Sequence, residues 1–328
     1  MKAFKRANGK RLFFVPVILL FSLCCEAQKP DTLIRKLDSL SQKTDSAGKQ
    51  LNNTNPRAYN EATQFTLSSF FILQGSNLKQ AFTKPFHMTG RDWGKLGKFV
   101  VLTGALSLLD EPVQRRALDL REHNNGLRAI SRQITNFGGI YEGYTLGALG
   151  AYGFLFKNKK MQTTTLLALQ SYITGAAVES VLKFLSGRQR PYVVNQKQVE
   201  AEPAFRGPFH VMRDADGNRL NSSFPSGHTT VAFAAATVYA LEYKDRPWVP
   251  VLAYSAASLI GLSRITENKH WLTDVAVGAT LGYLTGRQVV NNYHRYAKLK
   301  SPKQTRNSVS FSMGYSNGQL LPGMVWRF

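Results

Sequence analysis

With 328 residues, 43% of them apolar and 11% aromatic, the chain carries enough hydrophobic side chains to bury one sizeable core, which excludes disorder throughout and favours one main domain with extensions. A formal net charge of +22 directs it toward polyanions, and an export signal at the N-terminus narrows these to anionic lipid headgroups and phosphorylated envelope molecules rather than nucleic acid. Cys24 and Cys25 are the only cysteines, and both lie within that signal, which excludes a disulfide framework and a thiolate metal site from the exported chain.

The signal consists of Lys2, Lys5, Arg6, Lys10 and Arg11 followed by the apolar run 12–23, the charged start and apolar middle of a secretory leader. The small side chains Cys25 and Ala27 flanking Glu26 predict cleavage after Ala27. An uncleaved anchor helix and a lipoprotein cut ahead of Cys24 are the other processings. The run is short against the roughly 20 residues of a membrane span, and Leu23 is bulky for the position before a lipidated cysteine.

Residues 28 to about 60 are polar, rich in Asp, Ser, Lys, Asn and Thr, and read as a tether or short surface helix. Apolar runs then recur at 66–73, 99–109, 144–156, 163–185, 229–241, 249–262 and 274–290. They are rich in Ala, Leu, Gly and Val, with helix breakers mostly between them, which predicts an all-α bundle. The gaps between runs read as loops, one holding Arg115, Arg116, Arg121, Arg128 and Arg132, another Lys157, Lys159 and Lys160.

Most runs are shorter than a bilayer span, so membrane contact is expected while the number of crossings is open. The Lys- and Arg-rich stretch 287–306 suits a cytoplasmic tail and places the opposite end of the bundle in the periplasm. Residues 308–315 and 319–328 around Asn317-Gly318 read as a short β-hairpin with a type I′ turn. The expected organisation is a signal peptide over 1–27, a polar extension with a short helix over 28–92, a helical domain over 93–295, and a basic tail with the hairpin over 296–328.

Three short stretches at the ends of these runs concentrate polar residues: Lys183 through Arg190-Pro191, Pro225-Ser226-Gly227-His228, and Ser263-Arg264 with His270 and Asp274. Run 163–185 ends at the first, run 229–241 begins at the second, and run 249–262 ends at the third, so antiparallel helices bring them to one end of the bundle. Lys183, Arg190 and Arg264 then form a cationic cup for a dianionic phosphoryl group. The amides of Ser226 and Gly227, at a helix start, point at the same oxygens. His270 and Asp274, four apart, share a helix face, so the carboxylate can orient the imidazole for attack on phosphorus. His228, with an ordinary pKa near 6.5, is placed to protonate the leaving alkoxide without a metal.

These stretches resemble the signature of the type 2 phosphatidic acid phosphatase superfamily, which also contains bacterial acid phosphatases and vanadium haloperoxidases. Lys183 to Pro191 matches its Lys, six residues, Arg-Pro element; Pro225 to His228 matches its Pro-Ser-Gly-His; Ser263 to Asp274 matches its Ser-Arg, five residues, His, three residues, Asp. The resemblance implies a bundle of about six core helices over residues 93–290. It implies His270 as nucleophile, Asp274 as its partner and His228 as acid, with Lys183, Arg190, Arg264, Ser226 and Gly227 as phosphate ligands and no metal or cofactor. Relatives often carry Gly where this chain has Lys269.

The activity so implied is removal of phosphate from a lipid phosphomonoester or pyrophosphate of the phosphatidate, phosphatidylglycerophosphate or undecaprenyl pyrophosphate type, in a bacterial envelope with the site facing the periplasm. Its rivals are a soluble periplasmic acid phosphatase, a vanadate-dependent haloperoxidase and a non-catalytic binder of lipid phosphates. His87, His123, His210 and His294 have no ligand-spaced partners and read as surface or structural residues. The stretch 206–219 reads as a loop beside the site.

Overall fold

The computed structural model describes residues 65, 67–138, 140–192, 202–213, 217 and 219–300, together with the backbone of 308–316 and 319–327. The expected signal and the polar stretch up to residue 64 lie outside the described residues. The described chain is mostly helical: α1 (Leu67–Thr83), α2 (Gly90–Leu106), α3 (Asp110–Glu122), α4 (Asn125–Phe137), α5 (Ile140–Leu155), α6 (Lys159–Ser186), α7 (Gly227–Glu242), α8 (Trp248–Thr266) and α9 (Leu272–Lys300).

Local sequence sets where several of these begin. Thr89 and Asp92 form a reciprocal capping box at the start of α2, Asn124 accepts from the Leu127 amide at α4, and Asn158 accepts from the Met161 amide at α6; each satisfies an amide that has no partner inside its helix.

The gap expected to be a loop, with its five arginines, folds instead as α3 and α4. Its periodicity is hidden by charge: Asp110, Gln114 and Ala117 are buried one turn apart on a single face of α3, while Glu111, Arg115 and Arg116 lie outside. A polar residue at a buried helix position gives no hydrophobic signal, and the pattern 110, 114, 117 emerges only once the partners of Asp110 and Gln114 are known.

The core forms where α7 lies between α6, α8 and α9. Leu167 and Ala168 of α6, Val238 of α7, and Val289, Val290 and Tyr293 of α9 pack as one buried cluster. The α7–α9 contact rests on glycines one turn apart. A Cβ at Gly278 or Gly286 would lie 2.7 or 2.6 Å from the carbonyl oxygens of Ser226 or Ala234, and one at Gly282 would collide with the Thr230 carbonyl. Bare backbone there lets the two helices approach closely and fixes their register.

The described part of the N-terminal extension, α1, docks on this core. Leu73 is buried, Gln74 donates to Thr174 Oγ1 at 3.1 Å, and Asn292 donates to Asn77 Oδ1 at 2.7 Å. At the C-terminus, backbone 308–316 pairs antiparallel with 319–327, but the turn at 317–318 and the side chains of both segments lie outside the described residues. The expected hairpin is therefore not counted in the fold. Among the described residues, α6 and α8 are long and apolar enough to cross a membrane by length and composition, and α8 exposes Val251, Leu252, Leu259 and Leu262.

Candidate active site

Three backbone hydrogen bonds join the polar stretches and the residues leading into them at one end of the bundle, and a fourth closes the turn within the third stretch. Ser223 N donates to Arg188 O at 2.9 Å, Arg190 N to Leu220 O at 3.1 Å, Ser226 N to Asp274 O at 3.0 Å, and His270 N to Arg264 O at 3.2 Å. The turn that carries the first stretch away from α6 needs Gly187, whose φ is +54°, a left-handed conformation that residues with a Cβ rarely adopt. A Cβ at Gly187 would also strike the Gly207 carbonyl.

His270 is 2% exposed and sits between α8 and α9. Its Nδ1 lies 2.7 Å from the Ser223 carbonyl. A carbonyl only accepts, so Nδ1 carries the hydrogen and Nε2 of the neutral ring keeps its lone pair. The sequence expectation gave the orienting contact to Asp274. That carboxylate is instead 3.7 Å from Nδ1, beyond a hydrogen bond, and acts through Ser223, whose hydroxyl donates to Asp274 Oδ2 at 2.5 Å. Ser223 thus holds the ring with its carbonyl and the carboxylate with its hydroxyl.

Burial pushes His270 down to about 3, and the opposing pull of Asp274 does not offset it. His228 is also pushed down to about 3, first by burial and then by Arg264, Lys183 and Arg190. The resting site therefore holds two neutral imidazoles, which departs from the ordinary value expected for His228. The influence of the three cations on His228 and of Arg190 and Arg264 on His270 means that all these groups share one electrostatic neighbourhood.

Asp274 anchors a network that the sequence reading missed. It is fully buried, and although burial alone would raise its carboxyl, Arg188, His270 and Ser223 outweigh that and hold it below the ordinary value. Arg188, 1% exposed, donates to Asp274 Oδ1 at 2.5 Å through Nη1 and to Asp110 Oδ2 at 2.5 Å through Nη2. Asp110 also accepts from the Thr273 amide at 2.9 Å and hydroxyl at 2.6 Å. The Arg188 guanidinium lies 4.8 Å from the Phe205 ring and 5.7 Å from the Trp271 ring. One buried cation between two carboxylates is a paired arrangement that low-dielectric burial demands. Arg188 lies within the first stretch, two residues before Arg190, so its position was visible in the sequence; Asp110, 78 residues away, had no local signal.

The cup for an anion is built from the remaining cations. Lys183 pairs with Glu179 one turn back on α6, and both approach Gly227, where a Cβ would lie 2.6 Å from Glu179 Oε1 and 3.1 Å from Lys183 Nζ. Arg190 Nη2 reaches Ser222 Oγ at 3.3 Å. Arg190 Nε and Arg264 Nε are buried N–H donors with no acceptor among the described residues. Ser226 caps α7 without a side-chain bond to the helix amides, its hydroxyl meeting Thr229 Oγ1 at 2.9 Å instead, and its own amide, expected to point at the phosphate oxygens, donates to the Asp274 carbonyl. The first amides of α7 have no intrahelical partner by helix geometry. Unfilled guanidinium donors beside a helix N-terminus form a site for an anion with several oxygens. Lys269 rests its ammonium 4.4 Å from the Tyr192 ring.

Residues 164–297, which contain all three stretches, match the PAP2 superfamily model. This segment is similar to the PAP2 superfamily. It is 53% identical over 72 residues to a lipid A 1-phosphatase of Porphyromonas gingivalis, covering 22% of this chain and 16% of that protein. It is 33% identical over 161 residues to a probable diacylglycerol pyrophosphate phosphatase of Schizosaccharomyces pombe, covering 42% of this chain and 56% of that protein. The chain thus spans no more than about half the length of these curated relatives. A solved structure, LpxE of Aquifex aeolicus, aligns over 56% of this chain and 94% of its own with 24% identity and a TM-score of 0.41.

His87, His123 and His210 are exposed. His294 is buried and its Nε2 lies 2.8 Å from Glu242 Oε1, a partner 52 residues away that sequence spacing could not reveal.

Proposed function

We propose that this chain is a lipid phosphatase that removes phosphate from a phosphorylated lipid through a phosphohistidine at His270. The observation that carries the reading is the pinned imidazole: Nδ1 held by the Ser223 carbonyl, with Arg190 and Arg264 close enough to shift its titration. In this reading the phosphoryl oxygens accept from Lys183, Arg190, Arg264 and the amides at the start of α7, including that of Gly227 next to Ser226. The developing charge is thereby met by donors already in place.

His270 Nε2 attacks phosphorus as the ester P–O bond breaks, and His228 gives its proton to the leaving oxygen. The resting His228 is neutral because burial and three cations disfavour a fourth positive charge. A dianionic phosphoryl group that pairs with those cations reverses their effect, so His228 takes up its proton together with substrate. In the second displacement, water attacks the phosphohistidine, His228 accepts the water proton, and phosphate leaves. Asp274 stabilises the imidazolium formed in between, and the Arg188 network fixes Asp274.

The substrate class follows from surface and kinship together. The relatives are named as phosphatases of lipid A and of diacylglycerol pyrophosphate, and α6 and α8 present membrane-compatible lengths of apolar helix. A membrane-embedded bundle in a bacterial envelope fits both. The active site then faces the periplasm, because α9 runs from Asp274 at the site to the basic residues Arg287 and Arg295 at the far end, which favour the cytoplasmic side. A phosphate-release panel on the full chain, comparing phosphatidate, phosphatidylglycerophosphate, undecaprenyl pyrophosphate and an aryl phosphate, tests this reading. His270→Ala is expected to abolish release from every substrate while the helical circular dichroism is retained; turnover that persists in that variant contradicts the assignment.

A further inference from the structure

A cavity of about 980 Å³ lies among α4, α5, α6, α7 and α8. Its wall is mainly apolar, with Leu146, Ala232, Ala236, Ala257 and Ile260 among the lining residues. Along α7 it extends from Ala232, one turn past His228, to Tyr243, which at the helical rise is about 16 Å. Gly138 stands at the catalytic end: a Cβ there would collide with Ile260 and lie 3.5 Å from His228. Phe137 and Ile260 line the cavity at that point, so it begins beside the catalytic cup. Trp248 and Leu252, also lining residues, are more than half exposed and form its outer lip.

Glu142 interrupts this wall. It lies on the first turn of α5, four residues past Gly138, lines the cavity, and is 7% exposed. Neither of its carboxyl oxygens has a hydrogen-bond partner among the described residues. A buried polar group without a partner is unfavourable by an amount that a suitable ligand group recovers. A plain hydrocarbon chain would fill the cavity and leave Glu142 unsatisfied; a chain that carries a donor would satisfy it.

We infer that this cavity takes the hydrocarbon chain of the substrate and that Glu142 selects chains bearing a hydroxyl or amide N–H in the segment nearest the phosphate. The inference rests on the phosphate-site reading for the placement of the headgroup. Glu142 is a specificity-determining residue in this account and takes no part in phosphoryl transfer. Pockets that hydrogen-bond a substrate group discriminate strongly against the analogue lacking it, because their own polar atom is then left bare.

Calorimetric titration of the detergent-solubilised full chain with two non-hydrolysable ligands, dodecyl phosphonate and 3-hydroxydodecyl phosphonate, tests it without turnover. The wild type is expected to bind the hydroxylated ligand about five-fold more tightly, the worth of one ordinary hydrogen bond. Glu142→Leu should lose that preference while holding dodecyl phosphonate at least as tightly, and Glu142→Gln, which keeps an acceptor, should retain part of it. Equal affinities in the wild type, or a preference that survives in Glu142→Leu, would overturn the inference. A second pair, dodecanol and dodecane-1,3-diol, probes the cavity without a phosphate. If neither phosphonate binds but a Glu142-dependent preference for the diol remains, the phosphate reading fails and the cavity assignment stands; if that preference is absent too, both fall.

Discussion

Ser223 does two things with one residue: its carbonyl fixes the His270 tautomer and its hydroxyl holds Asp274. The carboxylate therefore reaches the imidazole through a neighbour rather than by direct contact. Behind it, Arg188 is a cation buried between Asp110 and Asp274. Removing it leaves two buried carboxylates facing each other, and breaking such a pair costs about 3–5 kcal/mol. Arg188→Ala is accordingly expected to lower the unfolding free energy by about that amount, measured in denaturant. Arg188→Met together with Asp110→Leu should recover part of the loss, because it removes one of the two facing carboxylates while Asp274 stays without its cation. Coupled recovery in the double variant, absent from the singles, is the expected signature.

The two imidazoles also set a pH dependence. His270 titrates near 6.5 when unfolded and is pushed down to about 3 when folded, so between those values the unfolded chain binds more protons. Stability then rises with pH across that window and falls as acid is added. Denaturant midpoints measured from pH 4 to pH 7 should increase, and the slope should flatten in His270→Gln. An unchanged slope in that variant would assign the acid sensitivity to other groups.

At the scale of elements, the α7–α9 contact is set by backbone meeting backbone. Gly282→Ala places a methyl group against the Thr230 carbonyl, where neither helix can yield without moving the other. Overpacking of this kind costs about 1–3 kcal/mol, and it also shifts Ser226 relative to Asp274, whose backbones are bonded at 3.0 Å. A lower unfolding midpoint together with reduced activity is expected, while an alanine at exposed Gly90 should leave both unchanged.

The same scale explains what could be read from the chain. Runs of Ala, Leu, Val and Gly marked α5 to α9, because those helices bury apolar side chains among themselves and the pattern is intrinsic to each. α3 and α4 escaped because their buried faces include Asp110, Gln114 and Ser131, polar groups whose burial makes sense only beside Arg188, Asn268 and Thr266. The three polar stretches were legible because each holds its residues within a dozen positions. The groups that support them were not, since Glu142, Asp110 and Ser223 acquire meaning only from neighbours contributed by other helices.

At the scale of the whole molecule, one end of the bundle gathers the polar machinery while α6 and α8 offer apolar surface along its flank. The strong positive charge is divided: Lys183, Arg190 and Arg264 face the site, whereas Arg287 and Arg295 lie toward the other end of α9. In the proposed function a lipid phosphate meets this molecule headgroup first at the cationic cup, with its chain alongside the helices. The account stands on a single chemical event, transfer of a phosphoryl group to one imidazole nitrogen.

Trapping that event is the most direct test. The full chain is mixed with excess substrate, quenched within milliseconds in alkali, which preserves phosphohistidine, digested, and mapped by mass spectrometry. The account predicts a phosphoryl group on His270 and on no other residue, and its accumulation in His228→Ala with an aryl phosphate, whose phenolate leaves without a proton so that only the second displacement is slowed. Phosphate attached at another residue, or substrate consumed with no covalent intermediate in either protein, would contradict it.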